Sequence, residues 1–377
     1  MYKTPILIIV FCLVFVFATQ SRAVEVGGEL KVLLSGVLQD DGSLDSEFIE
    51  SLNLEFFLPQ IANNELRYEF KIDKPLQDLQ EGEELSYFAK KLYLKHRFDG
   101  FHLTLGRQPV SWSFGSLLNP VDYTLGSVAL DEENNSKYTD ALEMYIPLNW
   151  NSSLAIVSSF PAGFSSDFDK MKWGIRTRVG VSGYDLTINY VQEPELIFDE
   201  NSFNNIIKGV SSIIPKKRAG FTIKGDWKDL GVYGSYGHYF DEGVAGSNSY
   251  LLGVDYSYNL NYYTTVNMQL EYLGIELNSL ETVQDLFSGV DILNERINLL
   301  TGSMTYPIDD FSSISLTTML NLDDSSFVLI PGYQSTLPGN FDLDISSSIF
   351  LGEEDSLFRA KGLMPKAVTT ISLSYPF

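Results

Sequence analysis

The 377-residue chain has a single cysteine, Cys12, and three histidines, His96, His102 and His238. One cysteine excludes a structural disulfide within the chain and a cysteine-ligated metal. Three scattered histidines do not make a metal site. No Gly-rich phosphate loop is present, and no cofactor is expected. Basic residues are scarce as well. Lys and Arg total 26 against 49 Asp and Glu, a formal charge of −23. So acidic a surface does not suit nucleic acid, whose phosphates need basic contacts. Beyond the first segment no stretch approaches 18 consecutive apolar residues, and mean hydropathy is −0.01. A bundle of membrane helices is thereby excluded.

Met1 to Ala23 has Lys3 in a short leading region, an apolar run from Pro5 to Ala18, and Ser21-Arg22-Ala23 as a small-x-small site. It reads as a secretory signal peptide, cut after Ala23, which leaves residues 24–377 as one domain. The competing reading is an N-terminal membrane anchor. Its apolar run of 14 residues is shorter than the ~20 that span a bilayer.

What recurs along the rest of the chain is alternation. Leu66-Arg67-Tyr68-Glu69-Phe70-Lys71-Ile72-Asp73 alternates apolar and charged residues. Tyr184 to Tyr190 and Phe341 to Ser346 do the same. Successive strand side chains point to opposite faces, so each segment has a greasy and a wet side. Two folds suit that pattern, a soluble sandwich and a membrane barrel. The connections favour the barrel. Tight links at Asp99-Gly100, Asn149-Trp150-Asn151, Ser182-Gly183, Lys228-Asp229-Leu230, Asn259-Leu260-Asn261 and Asp309-Asp310-Phe311 alternate with longer loops. Those loops are 109–139, 161–170, 193–217, 241–248, 275–294 and 351–366. The strand count is even, about 18 with 16 as the alternative, as for bacterial barrels. The expected fold is all-β: a transmembrane, antiparallel, up-and-down barrel with short periplasmic turns, long extracellular loops and both termini periplasmic. The many Tyr and Phe then serve as interface girdles.

The chain ends Thr370-Ile371-Ser372-Leu373-Ser374-Tyr375-Pro376-Phe377, with Ile371, Leu373, Tyr375 and Phe377 on one face. This resembles the C-terminal strand signal of bacterial outer-membrane barrels. The resemblance implies that Tyr375 and Phe377 are read by the barrel assembly machinery. A second resemblance lies earlier. Gly106-Arg107-Gln108 closes a strand, followed by Trp112 and then Asn119-Pro120-Val121-Asp122. The segment is similar to a motif of porin-like outer-membrane barrels, although Ser113 stands where those have Gly. It implies a third outer loop, 109–139, that folds inward and narrows the channel, with Trp112 and Asp122 at the constriction. The plainer alternative leaves that loop on the rim with Trp112 as an interface anchor. At 31 residues it is long for a structureless connector.

Period-two assignment places Arg67, Lys71, Lys91, Lys95, Arg97, Lys172, Arg176 and Arg178 on the inner wall, because a base facing lipid at mid-bilayer costs about 2–4 kcal/mol. Arg107 is added as a pore residue. Strict alternation from Phe101 turns it outward, so an inward Arg107 needs a bulge at Gly106; otherwise it stands beyond the membrane. Asp185, Asp226, Asp255, Asp342 and Asp344 line the other half. Two readings remain open: opposed charged walls that select solutes, or cross-strand pairs that keep the pore wet. The expected function is a passive porin for small hydrophilic solutes, with a lean toward anions or carboxylates, and not an enzyme. The alternatives are a structural or adhesive barrel without a conducting pore, and a barrel hydrolase built on Ser235, His238 and Asp241. Outer-membrane lipid and lipopolysaccharide are the expected surroundings. Acidic runs such as Asp131-Glu132-Glu133 read as solvated surface or as cation bridges to that lipid. A homo-oligomer and a monomer are equally compatible with the pattern.

Overall fold

The computed structural model describes residues 24–377 apart from 59, 61, 74–86, 111–128, 132–135, 161–171, 193–216, 242–243, 263, 277–295, 355 and 360–363. In chain order the strands are β1 (Glu25–Leu38), β2 (Leu44–Phe57), β3 (Asn64–Asp73), β4 (Tyr87–Arg97), β5 (His102–Pro109), β6 (Ala129–Asp131), β7 (Ser136–Asn149), β8 (Ser152–Ser159), β9 (Lys172–Val181) and β10 (Tyr184–Gln192). They continue with β11 (Lys217–Trp227), β12 (Leu230–Asp241), β13 (Val244–Asn259), β14 (Thr265–Glu276), β15 (Arg296–Pro307), β16 (Ser312–Asn321), β17 (Phe327–Leu337), β18 (Phe341–Leu351) and β19 (Ala367–Pro376). Setting aside the short β6, which pairs with β7, 18 antiparallel strands form a closed ring. The seam joins β1 to β19, from Glu29 opposite Pro376 to Leu38 opposite Ala367.

Turn chemistry sets the hairpins. Ser182 and Gly183 both have positive φ, 51° and 87°, as a two-residue turn matched to strand twist requires. One end of the barrel carries short turns throughout, and both chain ends emerge there. The other end carries the long connections, with exceptions. Residues 39–43 and 322–326 are short. The loop expected at 241–248 shrinks to two residues, because β12 and β13 keep pairing past a bulge to Asp241 opposite Val244.

The outer face is apolar and open. Leu105 is 56% exposed, and Ile188 and Leu252 64% each. Aromatic residues border it at both ends. Phe98, Trp150, Trp227, Tyr258, Phe341 and Tyr375 mark the short-turn end. Trp173 against Tyr190 (5.4 Å between ring centroids) and Tyr250 against Tyr272 (5.9 Å) mark the other. The wall itself is held by cross-strand pairs in which a tyrosine covers a glycine. Tyr184 lies on Gly225, Tyr233 on Gly253 and Tyr250 on Gly274, each so close that a Cβ on the glycine would stand 2.1–2.3 Å from the ring. The ring fills the gap left by the missing side chain.

At the rim of long connections, the turn 322–326 locks onto residues 356–359. Asp324 accepts hydrogen bonds from the backbone N–H groups of Leu357 (2.6 Å) and Ser326 (2.8 Å) and from the Ser326 hydroxyl (2.6 Å). Arg359 reaches Asp40 across the seam at 2.9 Å.

Candidate functional site, the inner wall

The strand registers decide which residues share the inner face. On β3 and β4 they are Glu65, Arg67, Glu69 and Lys71, then Lys91, Tyr93, Lys95 and Arg97. Lys71 holds its inner position opposite Asn53, though its side chain lies outside the described residues. On β9 they are Lys172, Arg176 and Arg178, and on β10 Asp185 and Asn189. The register thus sets these residues on one continuous face of the wall.

The register also brings the bases together with acids. Arg67 lies 3.2 Å from Glu55 and 3.2 Å from Glu65, and its guanidinium stands over the Phe57 ring at 5.2 Å. Arg97 shares Glu65 with Arg67. Lys91 pairs with Glu69 at 2.5 Å, and Arg178 with Asp185 at 2.6 Å. Glu143 on β7 lies within electrostatic reach of Arg176 and Lys95. The patch read from sequence as a basic wall is thus interleaved with carboxylates. The partly exposed pairs, Lys91 with buried Glu69 apart, each add at most about 1 kcal/mol of stability. Their larger effect is to neutralise the local field.

Arg107 does not join this group. The registers of β5 with β4 and with β7 run through Gly106 without a bulge. Gly106 has φ +123°, and a Cβ there would meet the Leu92 carbonyl at 2.2 Å. Its peculiarity is thus a close backbone approach and not an inserted residue. Arg107 accordingly falls on the outer face with Leu103 and Leu105. There it makes a two-pronged bond to Asp140, at 3.1 and 2.9 Å. Trp112 and Asp122 lie outside the described residues.

The histidines separate too. His96 and His238 face outward onto Asn64 and Asn248, at 2.7 and 2.8 Å. His102 faces inward beside Tyr145. Ser235 points inward from β12 while His238 points outward, so these two cannot form a nucleophile–base pair.

A polar knot on β12 and β14 did not stand out in the sequence. Tyr233 donates to Glu271 at 2.7 Å and accepts from Gln269 at 2.6 Å, and Glu271 is fully buried on the inner face. The alternation Asn267-x-Gln269-x-Glu271 was the available signal. It marks the wet face but not the partner two strands away. Higher on the wall, Val110, Ala141, Ala155, Val157 and Val191 form an apolar patch packed by Tyr145. The last four sit on the inner face of β7, β8 and β10.

No family model matches the chain, and no curated protein matches it in sequence. Among solved structures the barrel is similar to OccAB1 of Acinetobacter baumannii, with a TM-score of 0.57 at 9% identity over 94% of this chain and 96% of that one. OccAB3 of the same species gives 0.56 at 9% identity, over 94% and 99%. Wzi of Escherichia coli, an outer-membrane protein involved in group 1 capsule assembly and a carbohydrate-binding β-barrel, gives 0.56 at 13% identity, over 93% and 84%. At such identities the likeness is one of fold.

Proposed function

We propose that this chain is a passive porin of the bacterial outer membrane, open to small hydrophilic solutes. One observation carries the reading: a closed 18-strand ring whose outer face is apolar between two aromatic borders, while its inner face is polar and charged. So large a contiguous apolar surface is not stable in water, and a closed ring leaves no unpaired edge in lipid. In this reading residues 1–23 are removed as a signal peptide, and the short-turn end with both termini is periplasmic. Lipid and lipopolysaccharide surround the wall. The barrel assembly machinery reads Tyr375 and Phe377, which face outward beside the seam. The inward course expected of loop 109–139 falls largely outside the described residues. The lean toward anions stays open, since Arg67, Lys91, Arg97 and Arg178 are paired with carboxylates.

Planar-bilayer recording of the purified, folded barrel tests the proposal. Steady ohmic conductance is expected. A correctly folded barrel that passes neither ions nor small solutes would refute the porin reading in favour of a structural or adhesive barrel.

A further inference from the structure

The inner wall of β10 to β12 carries polar groups that the fold leaves unbonded. Ile188, Phe221 and Tyr236 turn outward and are exposed, so their chain neighbours Asn189, Gly220, Ser235 and Gly237 turn inward. Asn189 is 2% exposed and Ser235 5%. Neither amide atom of Asn189 has a hydrogen-bond partner among the described residues, and the Ser235 hydroxyl has none either. A buried polar group left unbonded is destabilising. Native proteins keep few such groups, and each one asks what bonds it.

The register places a bare strip of wall between these groups. Asn189 stands opposite Gly220, Gly220 opposite Gly237, and Gly237 opposite Ser249. Ser235 lies two positions before Gly237 on the same face of β12. Elsewhere on this inner face Tyr233 covers Gly253. Gly220 and Gly237 face each other, so neither can cover its partner. Glycines inside strands let another molecule lie close against the backbone. From Asn189 to Ser249 is three strand spacings, about 14 Å. That leaves room for one six-membered ring laid flat between the two side chains.

We propose that this strip binds a neutral solute with adjacent hydroxyl groups, a saccharide. The chemistry of the unbonded groups sets that class. Asn189 offers an acceptor, Oδ1, beside a donor, Nδ2. An anion bonds only the donor and a cation only the acceptor, and each leaves half of the amide unbonded. Two neighbouring hydroxyls satisfy both halves together, because a hydroxyl both donates and accepts. Another hydroxyl of the same ring meets Ser235 in the same way. The nearest bases are Arg176, opposite Asn189 on β9, and Arg218, two positions from Gly220 on β11. Both have interactions of their own, Arg176 with Glu143 among them. They frame the strip, and its unbonded groups are neutral. The inference deepens the porin reading, on which it rests, by naming a class of solute.

Binding to the folded barrel tests the site without needing conduction. The full chain, folded in amine-oxide micelles free of sugar detergents, is titrated with methyl glucoside and followed by saturation-transfer NMR. Succinate and tetramethylammonium serve as competitors. Methyl glucoside is expected to bind, and neither ion to displace it. Asn189→Leu removes two hydrogen bonds and Ser235→Ala one, so the glucoside should bind at least tenfold and about fivefold more weakly. No binding of the glucoside, its displacement by either ion, or an affinity indifferent to the substitutions would overturn the site. Ser235→Ala removes a single oxygen and decides the matter should Asn189→Leu not fold. Since that hydroxyl is unbonded in the free barrel, its loss should leave the urea midpoint unchanged or raise it. A lowered midpoint would mark a structural hydroxyl and overturn the site as well. Conductance without glucoside binding would reject the site and keep the porin. Glucoside binding without conductance would reject the porin and keep the site.

Discussion

Glu65 is the hinge of the paired inner wall, and Glu65→Gln exposes what the pairing does. Glu65 serves both Arg67 and Arg97. Removing its charge leaves Arg67 with Glu55 and deprives Arg97 of its bridge. The structural cost should be small. These side chains are 20–35% exposed, and a partly exposed pair is worth about 1 kcal/mol or less. The electrostatic effect on a passing ion is of similar size and can be read directly. One unit charge 7 Å from its path contributes about 0.3 kcal/mol after screening at 0.1 M salt. A cation and an anion feel it with opposite sign, so their preference changes by about 0.6 kcal/mol, or two- to threefold. The assay is the reversal potential of the reconstituted barrel across a KCl gradient. Glu65→Gln should move it toward anions by that factor, with urea stability changed by about 1 kcal/mol or less. Arg107→Gln is the internal comparison. Its guanidinium stands on the outer face against Asp140, so it should leave the potential where it was. Equal shifts from the two variants, or none from Glu65→Gln, would refute the face assignment and the field argument together.

Gly253→Ala should destabilise the barrel by about 3 kcal/mol or more, because the added Cβ displaces the Tyr233 ring and strips a donor from buried Glu271. Tyr233→Phe removes the hydroxyl alone and should cost about half as much; equal urea midpoints for wild type and both variants would contradict this. Burial works to raise the Asp324 carboxyl, but the N–H of Leu357 and the hydroxyl and N–H of Ser326 outweigh it and hold the group below the ordinary aspartate value. A depressed folded-state pKa stabilises above the unfolded value and is lost as pH falls through the folded one. Protease cleavage within 352–366 should therefore rise only below about pH 4, and at neutral pH in Asp324→Asn; cleavage that rises between pH 7 and 5 would exclude Asp324 as the latch. Val157→Cys in a Cys12→Ser background should resist maleimide in the full chain and react once residues 112–126 are deleted. Reaction in both would show that the segment after Val110 does not cover the inner patch.

Period two made the architecture readable because a barrel strand repeats one contrast at every position. Charge is costly against lipid and apolar surface is costly in a wet lumen, so Leu92 and Leu94 turn one way and Lys91, Lys95 and Arg97 the other. Turn chemistry located the hairpins for the same local reason, as at Ser182-Gly183. An inward Arg107 needs a bulge at Gly106, and the registers run through that residue without one. Gly106 instead makes room for the Leu92 carbonyl on the neighbouring strand, a contact no single-strand pattern contains.

Charge selectivity was the least readable property, and the reason is geometric. Alternation fixes the face of a residue, whereas its ion partner depends on register with the next strand. Arg67, Arg97 and Lys91 look like a basic ladder on one line of sequence. Yet β2 and β3 bring Glu55, Glu65 and Glu69 to the same level, and the ladder closes on itself. Asp342 and Asp344 look no different in sequence from those acids. Their neighbours on β17 and β19 are Thr336, Gln334, Ser374 and Ser372, so their charge stays uncompensated. The field a solute meets is set by this difference between paired and unpaired carboxylates. Total charge and the count of bases on a face do not determine it. On β3 and β4 the pairs of Arg67, Lys91 and Arg97 cancel charge locally, whereas Asp342 and Asp344 near the short-turn end have only neutral neighbours.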